Sequence, residues 1–330
     1  MSLDKNKTKR LLENFRLFFI LLLLMAVLSL MSPSFLTLAN LSNVLWSVCI
    51  IGIMTTGFLY TPITGGIDLS VGSMASLSAI IANALMNNAH IPMVPALFIT
   101  LGFGILVGLV NGVVTTKFRV PPFIVTMAAK TYLFGIAMLV SNGDTITIMG
   151  PESFLKIGVV KVFGLPIPVY IMIMMVLMSH VLLKKTLFGR RSIAVGANEV
   201  SAKLSGVNPD NTRIVAYILS SGAATIAGIV MASLTQQAYA PNASGYEFDV
   251  ITAVVIGGTS LLGGSGSVVG ALIGAVMVGF INNGLNLMNM PASYHPLVTG
   301  AVILVALILN QGVSLPAIVR KQMGRPDPNA

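Results

Sequence analysis

Apolar runs long enough to cross a bilayer alternate along this chain with short polar stretches, and the polar stretches are where the lysines and arginines fall. A helix needs about 20 predominantly apolar residues to cross ~30 Å of hydrocarbon. Ten segments approach that requirement: Phe15–Met31, Val44–Ile63, Leu69–Met86, Met93–Thr116, Phe123–Ser141, Leu165–Leu183, Ile214–Leu234, Asp249–Leu262, Val268–Leu287 and Pro296–Leu315. The pattern predicts an all-α, polytopic integral membrane protein with about ten transmembrane helices and both termini cytoplasmic. Residues 1–14 form a cytoplasmic N-terminal segment in this reading, 15–315 the membrane domain, and 316–330 a cytoplasmic tail.

Composition supports lipid as the solvent. Hydrophobic residues make up 55% of the 330 and charged residues only 9%, against roughly 25% charged in an average soluble domain. The mean hydropathy is +0.90. The net charge of +9 raises the question of nucleic acid, but the cations sit in loops between apolar runs and form no basic face. With the N-terminus inside, 16 of the 19 basic residues lie in cytoplasmic parts, Lys156 and Lys161 lie outside, and Lys130 lies within a span. This is the bias that the positive-inside rule requires. No signal-peptide cleavage site follows the first apolar run, which reads as a retained helix. One cysteine, Cys49, permits no intrachain disulfide, and the scattered His90, His180 and His295 form no metal-ligand cluster.

Two regions strain the count. Asp249–Leu262 is short for a span. Between the second and third spans, TPITGGIDLSVGS (Thr61 to Ser73) contains helix breakers. It reads either as a tight turn at the cytoplasmic surface or as a broken helix on a transport path. A second Gly-Gly break, Gly263-Gly264, precedes Val268–Leu287, but these two breaks do not make a five-plus-five duplication.

Polar residues inside the spans are the candidates for a path. Asn282, Asn286 and Asn289 follow an i, i+4, i+7 stripe, and Asn83 and Asn87 repeat the i, i+4 spacing. Amides both donate and accept, which suits hydroxyl-rich solutes, and equally suits hydrogen bonding between helices. Asp68, Asn83, Asn282 and Asn286 are the candidate path residues. Asp68, Glu247 and Asp249 fall at span edges and are expected to cap helix N-termini. Lys130 snorkels or serves the path. Gly104, Gly108 and Gly112 share one helix face, as do Gly270 and Gly274, and predict close helix packing. The segment GGTSLLGGSG (Gly257 to Gly266) lacks the lysine of a nucleotide-binding loop, so the chain has no ATPase motif of its own. No cofactor is implied.

The longest charged interruption, Lys184 to Arg213, holds 8 of the 29 charged residues. Within it, Asn198 to Leu204 is helix-capable, with Gly206 as C-cap. Glu199 and Lys203 are placed to pair at i, i+4. A surface helix on a chain with no large soluble domain is a docking element, or else part of a loop that only sets topology.

At these residues the chain resembles the permease subunits of ribose-type bacterial ABC importers for monosaccharides. The matching stretches are GGIDLSVGS (Gly65–Ser73), PPFIVT (Pro121–Thr126), GANEVSAKLSGVN (Gly196–Asn208), and the ungapped run from Gly245 to Leu287. The resemblance implies a homodimer, or a pairing with a sister permease, in the inner membrane lipid. It also implies a cytoplasmic ABC ATPase subunit as partner and a periplasmic sugar-binding protein that delivers solute. Glu199, Ala202 and Gly206 match the ATPase-coupling pattern, with Lys203 beside them; Val200 and Ser201 replace the alanine that usually follows the glutamate. The alternative is an ion-gradient-coupled secondary transporter, which usually places carboxylates inside its spans.

Overall fold

The computed structural model describes residues 2–148, 150–291 and 293–310, with side chains from Leu17 to Ile308. The chain is largely helical. Helix α1 is Ser2–Met31, so helix begins well before Phe15. Then follow α2 (Leu38–Phe58), which continues into α3 (Tyr60–Ile63), and α4 (Val71–Asn83), extended by a π-helical turn over Ala84–Asn88. Next are α5 (Met93–Lys117), α6 (Pro122–Ser141), α7 (Glu152–Val159), α8 (Ile167–Lys185), α9 (Leu187–Ala197) and α10 (Glu199–Leu204). The last are α11 (Pro209–Thr235), α12 (Tyr246–Ile256), α13 (Val268–Leu287) and α14 (Tyr294–Asn310). The tail 316–330 and the final residues of the last expected span lie outside the described residues.

The all-α expectation needs one amendment. Two antiparallel two-residue ladders occur, β1 (Ile146–Thr147) with β4 (Gln237–Ala238), and β2 (Lys161–Val162) with β3 (Leu165–Pro166). The second is a hairpin whose two turn residues, Phe163 and Gly164, both have positive φ, the backbone that matches the twist of the flanking strands.

Six helical stretches among the described residues are long and apolar enough to cross a membrane: Leu38–Ile63, Met93–Lys117, Pro122–Ser141, Ile167–Lys185, Pro209–Thr235 and Val268–Leu287. Leu17–Met31 and Tyr294–Ile308 are shorter apolar helices. The expected third and eighth spans hold short α-helices, α4 of 13 residues and α12 of 11.

Helix α11 is the scaffold. The glycine face of α5 lets the two backbones close up: an added Cβ on Gly108 would sit 2.5 Å from the Tyr217 carbonyl, and one on Gly112 2.8 Å from the Ile214 Cα. The segment after α3 climbs the same scaffold. Arg213 Nε donates to the Thr64 carbonyl at 3.2 Å, Tyr217 OH to the Ile67 carbonyl at 3.2 Å, and Ser220 Oγ to Asp68 at 2.7 Å. Higher up, Ser78 Oγ donates to the Thr225 carbonyl. The turn itself, at Gly65, is exposed, with φ of +80°, while Asp68 to Ser70 are buried. Thus Thr61–Ser73 makes an exposed turn at Gly65 and then non-helical chain that is buried from Asp68 onward. Helix α4 starts only where that non-helical chain ends.

Helix α12 is reached the opposite way. After β4, at the far end of α11, the chain dips inward through residues 239–245 before α12 starts. Ala243 N donates to Ser76 Oγ of α4 at 2.9 Å. Helix α13 then runs back along α12, its Gly270 facing Gly257 and its Gly274 facing Ala253. At 1.5 Å per residue the 11 residues of α12 reach only about 17 Å, so this helix alone does not span ~30 Å.

Helices α4 and α12 therefore meet near their N-terminal ends, with Gly72 packed against the Ala243 carbonyl and Glu247. The order long helix, non-helical dip, short helix, glycine-faced helix, final helix occurs in 38–141 and again in 209–310, with the second dip built from consecutive turns over 240–245. Helix α2 packs on α11 and α13 as α11 packs on α2 and α5, and α4 packs on α6 as α12 packs on α14. The two Gly-Gly pairs do not mark this repeat. They lie together at one end, where Gly264 N donates to the Ile63 carbonyl at 2.9 Å.

Candidate functional site

Two sites emerge: a polar interior around the meeting point of α4 and α12, and the end of the bundle formed by Lys184–Arg213.

The interior holds three buried carboxylates. Asp68, Glu247 and Asp249 were expected at span edges as helix caps, and that expectation fails. The N-cap of α4 is Ser70, with no side-chain cap bond, and that of α12 is Gly245, likewise without one. Asp68 is fully buried; it accepts from Ser70 N at 3.0 Å, Ser70 Oγ and Ser220 Oγ, and Asn111 of α5 donates to Ser70 Oγ at 3.2 Å. The carboxylate thereby fastens the non-helical segment to α11 and α5. Glu247, with a side chain 1% exposed, forms an ion pair with Lys130 of α6, whose ammonium also lies 5.6 Å from the Phe248 ring centroid. So Lys130 does not simply snorkel. Asp249 accepts from Asn282 at 3.1 Å and Thr299 at 3.4 Å. Glu247 and Asp249 still lie in the first turn of α12, where their charge complements the helix dipole.

A cavity of about 700 Å³ opens beside these groups. Lys130, Glu247, Asp249, Asn282, Asn286 and His295 line it. Of the four candidate path residues, Asn282 and Asn286 are on its wall. Asp68 is not, and neither is Asn83, which is buried and accepts from Asn87 at 2.7 Å where α4 gives way to the π turn. The asparagine next to the stripe, Asn283, makes the interhelical bond instead: its amide and that of Asn40 exchange two hydrogen bonds of 2.8 and 2.9 Å. The sequence signalled Asn283 only as an extra polar residue in an apolar helix.

The second site follows the sequence closely. Asn198 caps α10 by accepting from Ser201 N at 2.9 Å. At its other end Gly206 has φ of +79°, Gly206 N donates to the Lys203 carbonyl, and Val207 N to the Ala202 carbonyl. These two bonds make a Schellman close. The expected Glu199–Lys203 pair is replaced: Glu199 pairs with Arg213 at 2.7 Å, the same Arg213 that holds Thr64. The reason is geometric, since the start of α11 comes back against α10 and offers a planar guanidinium at shorter range. Ala202 is buried beneath α10, while Val200 (69%) and Leu204 (85%) stand exposed one turn apart. Lys203 is exposed between them in sequence. Helix α9 packs this end onto the rest: Gly196 lies against the Ile63 carbonyl and Gly264.

An apolar helical bundle with discontinuous helices, buried polar groups beside a cavity and one exposed charged helix at its end has the architecture of a multi-pass membrane permease. Residues 40–307 match the family described as branched-chain amino acid transport system / permease component, and the chain belongs to that family. Among curated proteins it is similar to the ribose import permease protein RbsC of Escherichia coli K12, 38% identical over 88% of this chain and 91% of that protein. The ribose import permease protein RbsC of Bacillus subtilis 168 is also 38% identical, over 88% and 90%. The L-arabinose ABC transporter permease protein AraH of Azospirillum brasilense is 33% identical over 88% and 86%. No solved structure matches.

Proposed function

We propose that this chain is the membrane-spanning permease subunit of an ATP-driven importer that brings a monosaccharide into a bacterial cell across the inner membrane. The observation that carries the reading is the agreement along 88% of the chain with ribose import permeases. The arabinose permeases among the relatives keep the solute at the level of a small aldose.

In this reading the bundle crosses the membrane ten times, with α4 and α12 completing their crossings through the non-helical segments before them, and both termini are cytoplasmic. The Lys184–Arg213 end faces the cytoplasm, in keeping with the distribution of basic residues. Helix α10 docks a separate ABC ATPase through Val200, Lys203 and Leu204, while Ala202 and Gly206 shape the helix and Glu199 anchors it to Arg213. Two permease copies, or this chain and a sister, rock between inward- and outward-open states as the ATPase turns over, and a periplasmic binding protein supplies the sugar. Arg213 ties α10 to the Thr64 turn and so to the non-helical chain that holds Asp68, which gives the docking helix a short route to the membrane interior. Asp68 acts by holding this framework, Asn83 by bonding Asn87 at the far end of α4, and Asn282 and Asn286 by contacting solute.

Deleting residues 198–206 should abolish co-purification with the ATPase and leave membrane insertion intact; full retention of the ATPase would sink the docking assignment. The three buried carboxylates are also what an ion-coupled carrier holds. Uptake that survives ATP depletion and collapses with the proton gradient would favour that reading instead.

A further inference from the structure

We infer that the cavity between α6, α12, α13 and α14 is a solute-binding site for a neutral aldose or polyol inside the permease itself, so that the membrane subunit adds its own selection to that of any delivery protein. The inference rests on the sugar-importer reading above and assigns it a place.

Three features of the cavity carry it. The first is its size: about 700 Å³ lies inside the range of roughly 300–1,000 Å³ typical of small-molecule sites. The second is its chemistry. Vicinal hydroxyls each donate and accept, and they pair best with planar groups that offer two atoms side by side. Asp249 provides a carboxylate whose two oxygens each take one protein hydrogen bond, from Asn282 and from Thr299 at a long 3.4 Å. A carboxylate has about four lone-pair sites, so acceptor capacity remains. Asn282 and Asn286, at i and i+4 on α13, supply amide donors and acceptors on the same wall. Lys130 is already neutralised by Glu247, which leaves no open cation to demand an anionic ligand. The third feature is incomplete satisfaction. His295 Nε2 is buried and has no hydrogen-bond partner among the described residues. Burial without a partner is unfavourable for this atom, and His295 is on this wall.

Position also fits. Helix α13 leaves the Gly264 end and reaches the cavity late in its course, at Asn282 and Asn286. The cavity therefore lies toward the end opposite α10, where solute from outside arrives first.

The test uses the full chain in lipid nanodiscs, without ATPase or binding protein, titrated with D-ribose, L-arabinose and mannitol by saturation-transfer NMR. Saturable binding of at least one of these is expected. Asn282→Leu should weaken it by about tenfold or more, the loss of one well-placed hydrogen bond. Asp249→Asn is nearly isosteric and should weaken it similarly while the protein elutes as the wild type does, so the result does not depend on the leucine variant folding. The same variants, reconstituted with ATPase and binding protein, should show altered relative uptake of the three solutes with unchanged ATPase association. If the wild-type assembly imports sugar with ATP but the permease binds none of the probes, or the variants bind as the wild type does, the internal site is wrong and the function stands. If the wild-type assembly imports no sugar at all, the function fails first, and this inference with it.

Discussion

Helices α10 and α12 are both short, and each carries a glutamate in its first turn. Glu199 of α10 has a side chain 47% exposed and pairs with an arginine 14 residues away. Glu247 of α12 has a side chain 1% exposed and pairs with a lysine 117 residues away. The same residue type in the first helical turn thus does two different jobs. In α10 a neighbour in the chain anchors a short helix at the surface. In α12 a distant lysine supplies the counter-charge for a carboxylate buried in an apolar bundle. A surface pair of this kind contributes about 0–1 kcal/mol, whereas removing one partner of a buried pair costs about 3–5 kcal/mol. Exposure, and not sequence position, decides which value applies.

Breaking the interior pair should give the largest effect. Lys130→Met takes the counter-charge from the buried Glu247, and about 3 kcal/mol of stability should be lost, toward the low end because Lys130 is partly exposed. The readout is the melting temperature in nanodiscs. The double variant Lys130→Met with Glu247→Gln should recover most of it; equal loss in the double variant would mean that packing, not charge, holds the site.

Next in size, Gly108→Leu forces a side chain into the α5–α11 contact and should cost about 1–3 kcal/mol. The same substitution at Gly102, where an added Cβ meets nothing within 4 Å, should leave the melting temperature unchanged and serves as its control. At the surface, Asn198→Ala removes the cap of α10 and should cost about 1 kcal/mol locally. It should raise amide exchange over 199–204 without moving the exchange of α12. If α12 loosens as well, the two sites are more tightly linked than the Glu199–Arg213–Thr64 connection alone implies.

The smallest stability effect should accompany a large functional one. Val200→Ser with Leu204→Ser alters only exposed side chains, so stability should stay within about 0.5 kcal/mol. Retention of the ATPase in a pull-down should nevertheless fall about tenfold, as for the loss of central interface residues. Unchanged retention would move the docking surface off α10.

Much of the second site was legible along the chain, because its determinants act over a few residues. Gly206 lies close enough to α10 for the left-handed close to be read directly, while Asn198, read as the first residue of the helical run, proves to be its N-cap. The glycine faces of α5 and α13 were equally legible, since a four-residue spacing fixes one side of a helix whatever packs there. The interior was not. Asp68, Glu247 and Asp249 look like caps when only their neighbours are considered, and the Glu199–Lys203 pair looked better than Glu199–Arg213 for the same reason. Nothing local marks Asn283, rather than Asn282, as the partner of Asn40: the two differ by one step around a helix, and only the placement of α2 against α13 separates them.

What the sequence determined by itself is the solvent of the chain, the loops that collect its positive charge, the Gly206 close of α10 and the small-residue faces of α5 and α13. These follow from hydrophobic run length, helical period and hydrogen bonds between near neighbours. The tertiary structure alone decided that two helices begin inside the bundle, that their N-terminal ends meet, and that three carboxylates are buried there with partners drawn from α6, α11, α13 and α14. A buried charge is tolerated only where donors or a counter-charge surround it, and those groups come together only when segments far apart in the chain pack side by side.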